Sequence, residues 1–290
     1  MSAWRDVTSH RVNGWRKLAS STWGPPNDPQ FYGDLDIDAG TMLEYVHQLR
    51  TSTGVHVTVT HLVGRAVAHG LTAVPELSVR LARGREYPRE STDVFFIVEA
   101  APGELTGRKV ENADRKSVVE VAIELQDATT RISDGTDASF GRTKKMLARV
   151  PRRLLRPVIR ASAWLTSDRN LDLAAAGLPR QAFGGAMITS VGMWGISHAY
   201  SPLAAYYRVP VLVLVGAVTQ RPVARDGQVV IRPILTLTAT FDHRYVDGGH
   251  AARFAQAVLE YCSHPSQFEP PTARPEETLA ATTLDSGSRT

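Results

Sequence analysis

The chain is almost without cysteine and has no long apolar run, and both absences exclude whole classes of protein. Cys262 is the only cysteine among 290 residues, so the chain forms no internal disulfide and no zinc site of the finger or ribbon type. No stretch approaches the roughly 18 apolar residues of a membrane span, and the first residues lack the apolar run of a secretory signal. We therefore expect a cytoplasmic protein, at most peripherally bound to a membrane.

Acidic residues are absent from residues 142–160, where eight lysines and arginines accumulate. The whole chain carries a formal charge of +4, so the remainder carries 4 − 8 = −4. This distribution argues against a nucleic-acid partner and favours a local anionic one. Apolar residues recur in this segment at intervals of three and four, which predicts one or two amphipathic helices with a break or kink at Pro157.

Strand and helix patterns are mixed along the chain, which predicts an α+β fold, a two-layer sandwich of a mixed sheet flanked by helices. The predicted strands are residues 31–37, 94–98, 186–191, 209–218 and 234–241. The predicted helices are one capped by Asp38, a buried one ending before Pro75, one at 118–132, and one through 251–259. Asp226-Gly227 predicts a hairpin turn, and residues 102–113 a polar loop.

The domain organisation follows from composition. We expect an N-terminal arm at 1–33 and one catalytic domain at 34–265, with a basic helical insertion at about 141–165. Residues 266–290 are rich in proline, threonine and serine, which predicts a disordered tail.

The segment FDHRYVDGG, residues 241–249, is the most informative motif. His243 stands just past a predicted buried strand, and Asp247 and two glycines follow, which places an imidazole at the lip of a sheet. A neutral imidazole accepts a proton from a thiol or alcohol and returns one when a hydrogen bond holds its other nitrogen. The alternative is that His243 merely ends a strand and Asp247 starts the next helix.

Several patterns, and their order along the chain, resemble one known family. In chain order they are Ile188 to Val191 with Gly192 and Gly195, Arg221-Pro222-Val223, Asp226-Gly227, Arg232-Pro233 with the strand after it, and Asp242-His243-Arg244 with Asp247-Gly248. The chain is similar, over roughly residues 10 to 265, to the acyltransferase core of 2-oxoacid dehydrogenase complexes. That core has the chloramphenicol acetyltransferase-like fold, which the resemblance implies for this chain.

The resemblance implies roles for the motif residues. His243 would be the general base, and Thr189 the hydroxyl that stabilises the oxyanion, with Ser190 as runner-up. Asp247 would make a structural ion pair that shapes the active-site turn at Gly248. The candidate partners for that ion pair are Arg16 and Arg11.

The resemblance also implies an assembly and a substrate. The fold predicts homotrimers in which the histidine and the hydroxyl face each other across a subunit boundary, and such trimers can assemble into cages. No metal or tightly bound cofactor is implied, and coenzyme A or an acyl-CoA would be a substrate.

Three features depart from the family pattern. We expect a stand-alone member, because no lipoyl domain precedes Met1. Residues 103–110 replace an apolar stretch of the family's substrate tunnel. The basic segment is an enlargement, read either as a solvated helical face or as a dock for a phosphate-bearing carrier or a membrane surface. Its candidate docking residues are Arg149, Arg152, Arg153 and Arg156.

The remaining candidates are weaker. His198 and Trp194 are candidate pocket residues, whereas His56, His61 and His69 are interpreted as packing or surface residues.

Three functions stay open. The first is a stand-alone acyltransferase that moves an acyl group from a coenzyme A or carrier thioester to a thiol, alcohol or amine. The second is a non-catalytic assembly or binding protein that keeps the fold. The third is the acyltransferase core of a dehydrogenase complex whose lipoyl domain comes from another chain.

Overall fold

The computed structural model describes residues 29–101, 104–133, 151–204 and 206–269. Arg11, Arg16 and Arg149 lie outside the described residues, as does the predicted tail beyond residue 269.

Nine strands and six helices make up the described part of the chain. The strands are β1 (Gln30–Asp38), β2 (Val79–Ala82), β3 (Arg85–Pro88), β4 (Val94–Ala101), β5 (Glu104–Val110), β6 (Ala186–Ser190), β7 (Val211–Val215), β8 (Thr219–Arg225) and β9 (Gln228–Asp242). The helices are α1 (Gly40–Thr53), α2 (Val59–Ala73), α3 (Val118–Ser133), α4 (Arg152–Ala163), α5 (Gly248–Ser263) and the short α6 (Pro265–Phe268).

One seven-stranded mixed sheet organises the molecule. Its strand order is β1-β9-β7-β6-β4-β5, and β8 pairs with the first half of β9. The central strands β4, β6 and β7 are parallel, and the other neighbours are antiparallel. The separate hairpin β2–β3 lies outside this sheet.

The alternation in β9 shows how the sequence builds two layers. Leu235, Leu237 and Phe241 point into the main core, which also contains the apolar faces of α1, α2, α3 and α5. The intervening threonines face the other way, and the hydroxyls of Thr238 and Thr240 donate to the carbonyls of Ala199 and Ser201. The segment after β6 therefore covers the second face, where Met187 and Leu212 form a smaller core. The predicted α+β sandwich is confirmed.

The predicted loop at residues 102–113 is wrong, because β5 runs from Glu104 to Val110 and pairs with β4. The pairing of Ile97 with Gly107 brings the Phe95 ring against Gly107, where a Cβ atom would lie 2.2 Å from that ring. An edge strand needs few apolar side chains of its own, so its sequence looked like a loop.

Other boundaries also differ from the predictions. The helix is not broken at Pro157, which lies inside α4, and a kink there stays a prediction. Asp38 precedes the N-cap residue, Ala39, although its Oδ1 accepts from Gly40 N at 3.1 Å. The N-terminal arm ends before β1, which starts at Gln30.

The predicted tail starts too early. Residues 265–268 form a helix, and Glu269 is buried, so these residues belong to the domain. The predicted Asp226-Gly227 turn is confirmed, with both residues at positive φ, 52° and 76°.

Candidate active site

The end of β9 places His243 at the edge of the sheet. It is the first residue of the turn after β9, and its backbone N–H donates to Pro29 O at 2.7 Å, just before β1. The imidazole is exposed, and its ring lies 5.0 Å from that of Phe31, which stacks on Phe241. The histidine is thus held through its backbone while its side chain is exposed.

Asp242 and Arg244 lock the turn around the histidine. The Arg244 side chain donates to both carboxylate oxygens of buried Asp242, and Arg244 N donates to Asp242 Oδ1 at 3.0 Å. This hydrogen bonding raises the pKa of Arg244. Such two-pronged pairing resists rotation, so the turn is rigid on both sides of His243. The sequence motif contains Asp242 and Arg244, but only the structure shows that their ion pair stabilises the turn.

Tyr245 is a turn residue that sequence reasoning missed. Its hydroxyl donates to Arg208 O at 3.4 Å, and burial raises its pKa. Arg208 in turn makes a 3.0 Å ion pair with Asp168. The aromatic residue in the middle of the motif was the available signal, but its partner lies 37 residues away in the chain.

Asp247 caps α5. Its Oδ1 accepts from Gly249 N at 3.0 Å and His250 N at 3.3 Å, and the His250 ring lies 2.6 Å from the same oxygen. The hydrogen bond with His250 lowers the pKa of Asp247. The helix-start interpretation of Asp247 is confirmed, and its ion-pair candidates Arg16 and Arg11 lie outside the described residues. Gly248 is the first residue of α5.

Thr189 and Ser190 end β6, and both are half-buried. Side chains alternate along a strand, so Thr189 shares the face of Met187, whereas Ser190 shares the face of Ile188. Thr189 therefore faces the segment that follows β6. Because the two hydroxyls lie on opposite faces, they are not interchangeable.

Thr189 and His243 lie at opposite ends of the sheet within one protomer. Thr189 is level with Leu214 on β7, and Leu214 is level with Thr238 on β9. His243 lies five residues beyond Thr238, which is about 17 Å along the strands. This separation exceeds the reach of the two side chains, so one protomer does not bring them to the same reacting group.

His198 and Trp194 lie in the segment after β6, and both are exposed. The His198 ring contacts that of Tyr200 at 5.3 Å, and Tyr200 in turn contacts Tyr32 at 5.5 Å. Met193, which is 75% exposed, precedes Trp194, so the segment that follows Thr189 carries several exposed apolar side chains. Neither His198 nor Trp194 lines a cavity among those described, so their pocket role stays a prediction.

Three of the four candidate docking residues belong to α4. The backbones of Arg152, Arg153 and Arg156 lie in this helix. Exposed apolar side chains accompany them, namely Leu154 at 55% and Trp164 at 42%. Arg169 stacks over the Trp164 ring at 4.7 Å.

No described helix is long and apolar enough to cross a membrane. Within the described ranges, we also find no group of three or more histidine, cysteine, aspartate and glutamate side chains that could hold a metal ion.

Comparison with known proteins gives the family. The model of the 2-oxoacid dehydrogenases acyltransferase catalytic domain matches residues 9–139 and 178–269. Residues 140–177, which contain α4, lie outside the match.

Two curated relatives illustrate the similarity. The acetyltransferase component of the pyruvate dehydrogenase complex of Mycoplasma capricolum is 25% identical over 234 residues, 78% of this chain and 44% of that protein. A probable succinyltransferase component of the 2-oxoglutarate dehydrogenase complex of Schizosaccharomyces pombe is 34% identical over 129 residues, 41% of this chain and 28% of that protein. The chain thus spans less than half the length of these relatives.

Solved structures share the fold. A probable dihydrolipoamide acetyltransferase of Listeria monocytogenes has a TM-score of 0.62 at 18% identity, and the likeness covers 92% of this chain and 97% of that one. The cubic core of the pyruvate dehydrogenase multienzyme complex also has a TM-score of 0.62, at 20% identity, covering 83% of this chain and 84% of that one. The predicted fold is confirmed, and the chain belongs to the catalytic-domain family of the 2-oxoacid dehydrogenase acyltransferases.

Proposed function

We propose that this chain is an acyltransferase that moves an acyl group from a coenzyme A or carrier thioester to a thiol, alcohol or amine. The observation that carries the proposal is the rigid turn that presents an exposed His243 at the end of β9, in a chain of this family.

The proposed reaction needs no covalent enzyme intermediate. The His243 imidazole takes the proton of the acceptor as its sulfur, oxygen or nitrogen attacks the thioester carbonyl. Thr189 donates a hydrogen bond to the resulting oxyanion. When the tetrahedral intermediate collapses, the carbon–sulfur bond breaks, and the imidazolium returns the proton to the departing thiolate.

This mechanism requires two copies of the chain. Since about 17 Å separates His243 from Thr189 along the strands of one protomer, a shared carbonyl must lie between His243 of one copy and Thr189 of another. The exposed apolar side chains of Met193, Trp194 and Tyr200, in the segment that follows Thr189, support a contact there with a second copy. A closed trimer supplies one such site at each interface.

A panel of acyl-CoAs with free-thiol detection tests the proposal. We expect His243→Ala to lower turnover by about 10² to 10⁴-fold, and Thr189→Ala by about 10² to 10³-fold. His47→Ala, at an exposed position of α1, is the control and should keep normal turnover. Normal turnover of His243→Ala would refute the mechanism.

The same panel separates the alternatives. If Ser190→Ala rather than Thr189→Ala loses turnover, the oxyanion donor lies on the other face of β6. Release of coenzyme A only when dihydrolipoamide or a lipoyl domain is added would support a role in a dehydrogenase complex. Coenzyme A binding without release from any donor and acceptor would support a non-catalytic protein.

We also propose that the α4 region docks on an anionic lipid surface. Residues 140–177 lie outside the family match, and the exposed side chains of Leu154, Trp164 and Leu171 give this region an apolar surface. Eight positive charges without an acidic residue at 142–160 complement anionic headgroups. Exposed apolar side chains favour a membrane over an acidic carrier protein, which charge alone would attract.

Vesicle sedimentation tests the docking surface. We expect the chain to bind phosphatidylglycerol vesicles but not phosphatidylcholine vesicles, with weaker binding at high salt. Leu154→Glu combined with Trp164→Glu should abolish this binding, whereas Ile123→Glu, at an exposed apolar position of α3, should not. Equal binding by both variants, or binding to an acidic acyl carrier protein alone, would overturn the assignment.

A further inference from the structure

A cavity of about 70 Å³ lies between the β2–β3 hairpin, the start of β4 and the segment at residues 170–181. It is separate from the exposed imidazole of His243 and from the two hydroxyls of β6. Its lining residues are Arg80, Pro88, Arg89, Glu90, Ser91, Asp93, Lys109, Asn170, Arg180 and Gln181.

Arg80 is a buried cation in this lining. Only 5% of the residue is exposed, and its Nη1 donates to Ser167 O at 2.6 Å and to Asp168 O at 3.2 Å. The guanidinium also lies 4.5 Å from the centre of the Tyr87 ring. These partners are carbonyl oxygens and a ring face, so no carboxylate neutralises the charge.

Arg89 is the second arginine of the lining, and it is partly buried. Its Nη1 donates to Gln181 Oε1 at 2.6 Å and its Nη2 to Arg208 O at 2.9 Å, while its buried Nε has no hydrogen-bond partner. Burial lowers the pKa of Arg89 to about 10, and Arg80 adds to this effect. Tyr245 and Asp93 oppose it only in part. The cation is therefore less stable here than in water.

The charge balance of the lining is positive. Lys109 lies 3.3 Å from Asp93, and Arg180 lies 3.3 Å from Glu90. The four cations and two carboxylates of the lining leave 4 − 2 = +2, and Glu111, which lies 3.0 Å from Lys109 just outside the lining, reduces the local excess to about +1. Because shielded cations without a paired carboxylate are costly, the cavity favours an anionic ligand.

One wall of the cavity belongs to the segment outside the family match. Asn170 lies in residues 140–177, and its Oδ1 accepts from Gln181 Nε2 at 2.6 Å. Ser167 and Asp168, which hold Arg80, lie in the same segment. Residues outside the family match therefore contribute to one wall of the cavity.

We propose that this cavity binds an anion of the phosphate class. Guanidinium groups present paired N–H donors that match phosphate oxygens, and Arg80 and Arg89 both line the cavity. The phosphoryl group comes either from inorganic phosphate or from a larger ligand such as coenzyme A, through its 3′-phosphate. The site does not depend on the proposed acyl transfer.

A ligand in the cavity would also affect the position of the turn at His243. Arg89 Nη2 and the Tyr245 hydroxyl both donate to Arg208 O. A bound anion that holds Arg89 therefore also steadies the partner of Tyr245, two residues after His243.

Calorimetric titration with inorganic phosphate tests the proposal on the whole chain. We expect binding to the wild type and an affinity loss of about tenfold or more in Arg89→Gln, which removes one charged donor group. Arg180→Gln, whose side chain is 43% exposed, should also weaken binding and should fold normally. Arg85→Gln, an exposed residue of β3 that does not line the cavity, is the matched control and should bind normally.

The titrations test separately whether the cavity binds phosphate and which molecule supplies the phosphoryl group. Two results would overturn the site. One is that the wild type gives no heat of binding at about 10 mM phosphate. The other is that Arg180→Gln binds phosphate with the same affinity as Arg85→Gln. Displacement of phosphate by coenzyme A but not by dephospho-coenzyme A assigns the 3′-phosphate as the ligand. Phosphate binding that coenzyme A does not displace assigns inorganic phosphate. Both assignments hold even where the acyltransferase assay shows no turnover.

Discussion

His61 shows how one side chain makes the stability of this protein depend on pH. It occupies the third position of α2, where its Nδ1 accepts from Thr58 N at 3.2 Å while Thr58 Oγ1 accepts from His61 N. Burial lowers the pKa of His61 to about 4, and the neighbouring His56 and Arg50 contribute. The neutral imidazole is thus required for this capping box, because a protonated Nδ1 no longer accepts.

We predict that acid weakens the fold through His61. The unfolded chain takes up the proton near the ordinary value of 6.5, whereas the folded chain does so near 4. The free energy of unfolding therefore falls as the pH drops from about 6.5 to about 4, by up to about 3 kcal/mol. Urea unfolding at several pH values in this window measures the slope.

Two variants identify the source of that slope. His61→Gln keeps an acceptor at the capping position without a titrating group, so it should lose this part of the slope. His47→Gln, at an exposed position of α1, should retain it. Identical slopes for His61→Gln and the wild type would contradict the assignment.

The cap at Asp247 gives a second prediction at the scale of the residue. Asparagine is as good an N-cap as aspartate, so Asp247→Asn should keep both Tm and turnover. Asp247→Ala removes the acceptor of Gly249 N and His250 N and should lower Tm by about 2–4 °C and reduce turnover, because the turn at His243 loosens. Thermal unfolding and the acyl-CoA assay measure both effects. A large loss of turnover in Asp247→Asn with unchanged Tm would instead show that the negative charge is needed, as the ion pair implied by the family resemblance requires.

At the scale of the element, Glu269 joins three helices. Its carboxylate lies 3.3 Å from Arg65 Nε of α2, accepts from Val118 N of α3 at 2.7 Å, and accepts from the Tyr261 hydroxyl of α5. The side chains of Arg65 and Glu269 are 6% and 2% exposed. A buried charge of this kind is tolerated only with its partner present.

We predict that Glu269→Gln destabilises the protein by about 3 to 5 kcal/mol, because it leaves the Arg65 cation buried and unpaired. Glu260→Gln, at an exposed position of α5, is the control and should change stability by less than about 0.5 kcal/mol. Urea unfolding of both variants at pH 7.5 measures the difference. Equal stabilities would show that the ion pair contributes nothing.

At the scale of the whole molecule, the sheet register keeps Thr189 and His243 of one protomer apart, so the proposed mechanism needs a site shared between copies. We predict that His243→Ala and Thr189→Ala, each nearly inactive alone, regain activity when they assemble together. An interface works when one protomer supplies His243 and the next supplies Thr189, so an equal random mixture should recover about a quarter of the wild-type activity. Co-expression with two affinity tags provides the mixed assembly.

The control for that experiment uses the double variant, which carries His243→Ala and Thr189→Ala in one chain. A mixture of the double variant with His243→Ala contains no intact histidine and should stay inactive. Absence of recovery in the two-variant mixture, with mixed assembly verified by the tags, would place the two residues in separate functions.

Much of the fold could be predicted from local patterns, and particular residues show why. Alternating leucine and threonine in β9, the Asp226-Gly227 turn and the apolar face of α2 each have a single good local solution. The loop predicted at residues 102–113 is wrong because β5 is an edge strand, which is held by its pairing with β4 rather than by apolar residues of its own. Glu269 was placed in a tail because its partner Arg65 lies about 200 residues earlier in the chain.

Several features could be inferred from residues close together in the chain, namely the motif around His243, the family, the order of most strands and helices, and the charge of residues 142–160. Other features became visible only in the folded chain: Thr189 and His243 lie at opposite ends of the sheet, Arg80 and Arg89 line one cavity, and Glu269 joins three helices. Each of these arises where strand register and helix packing bring distant residues together or keep them apart, and no local pattern carries that information.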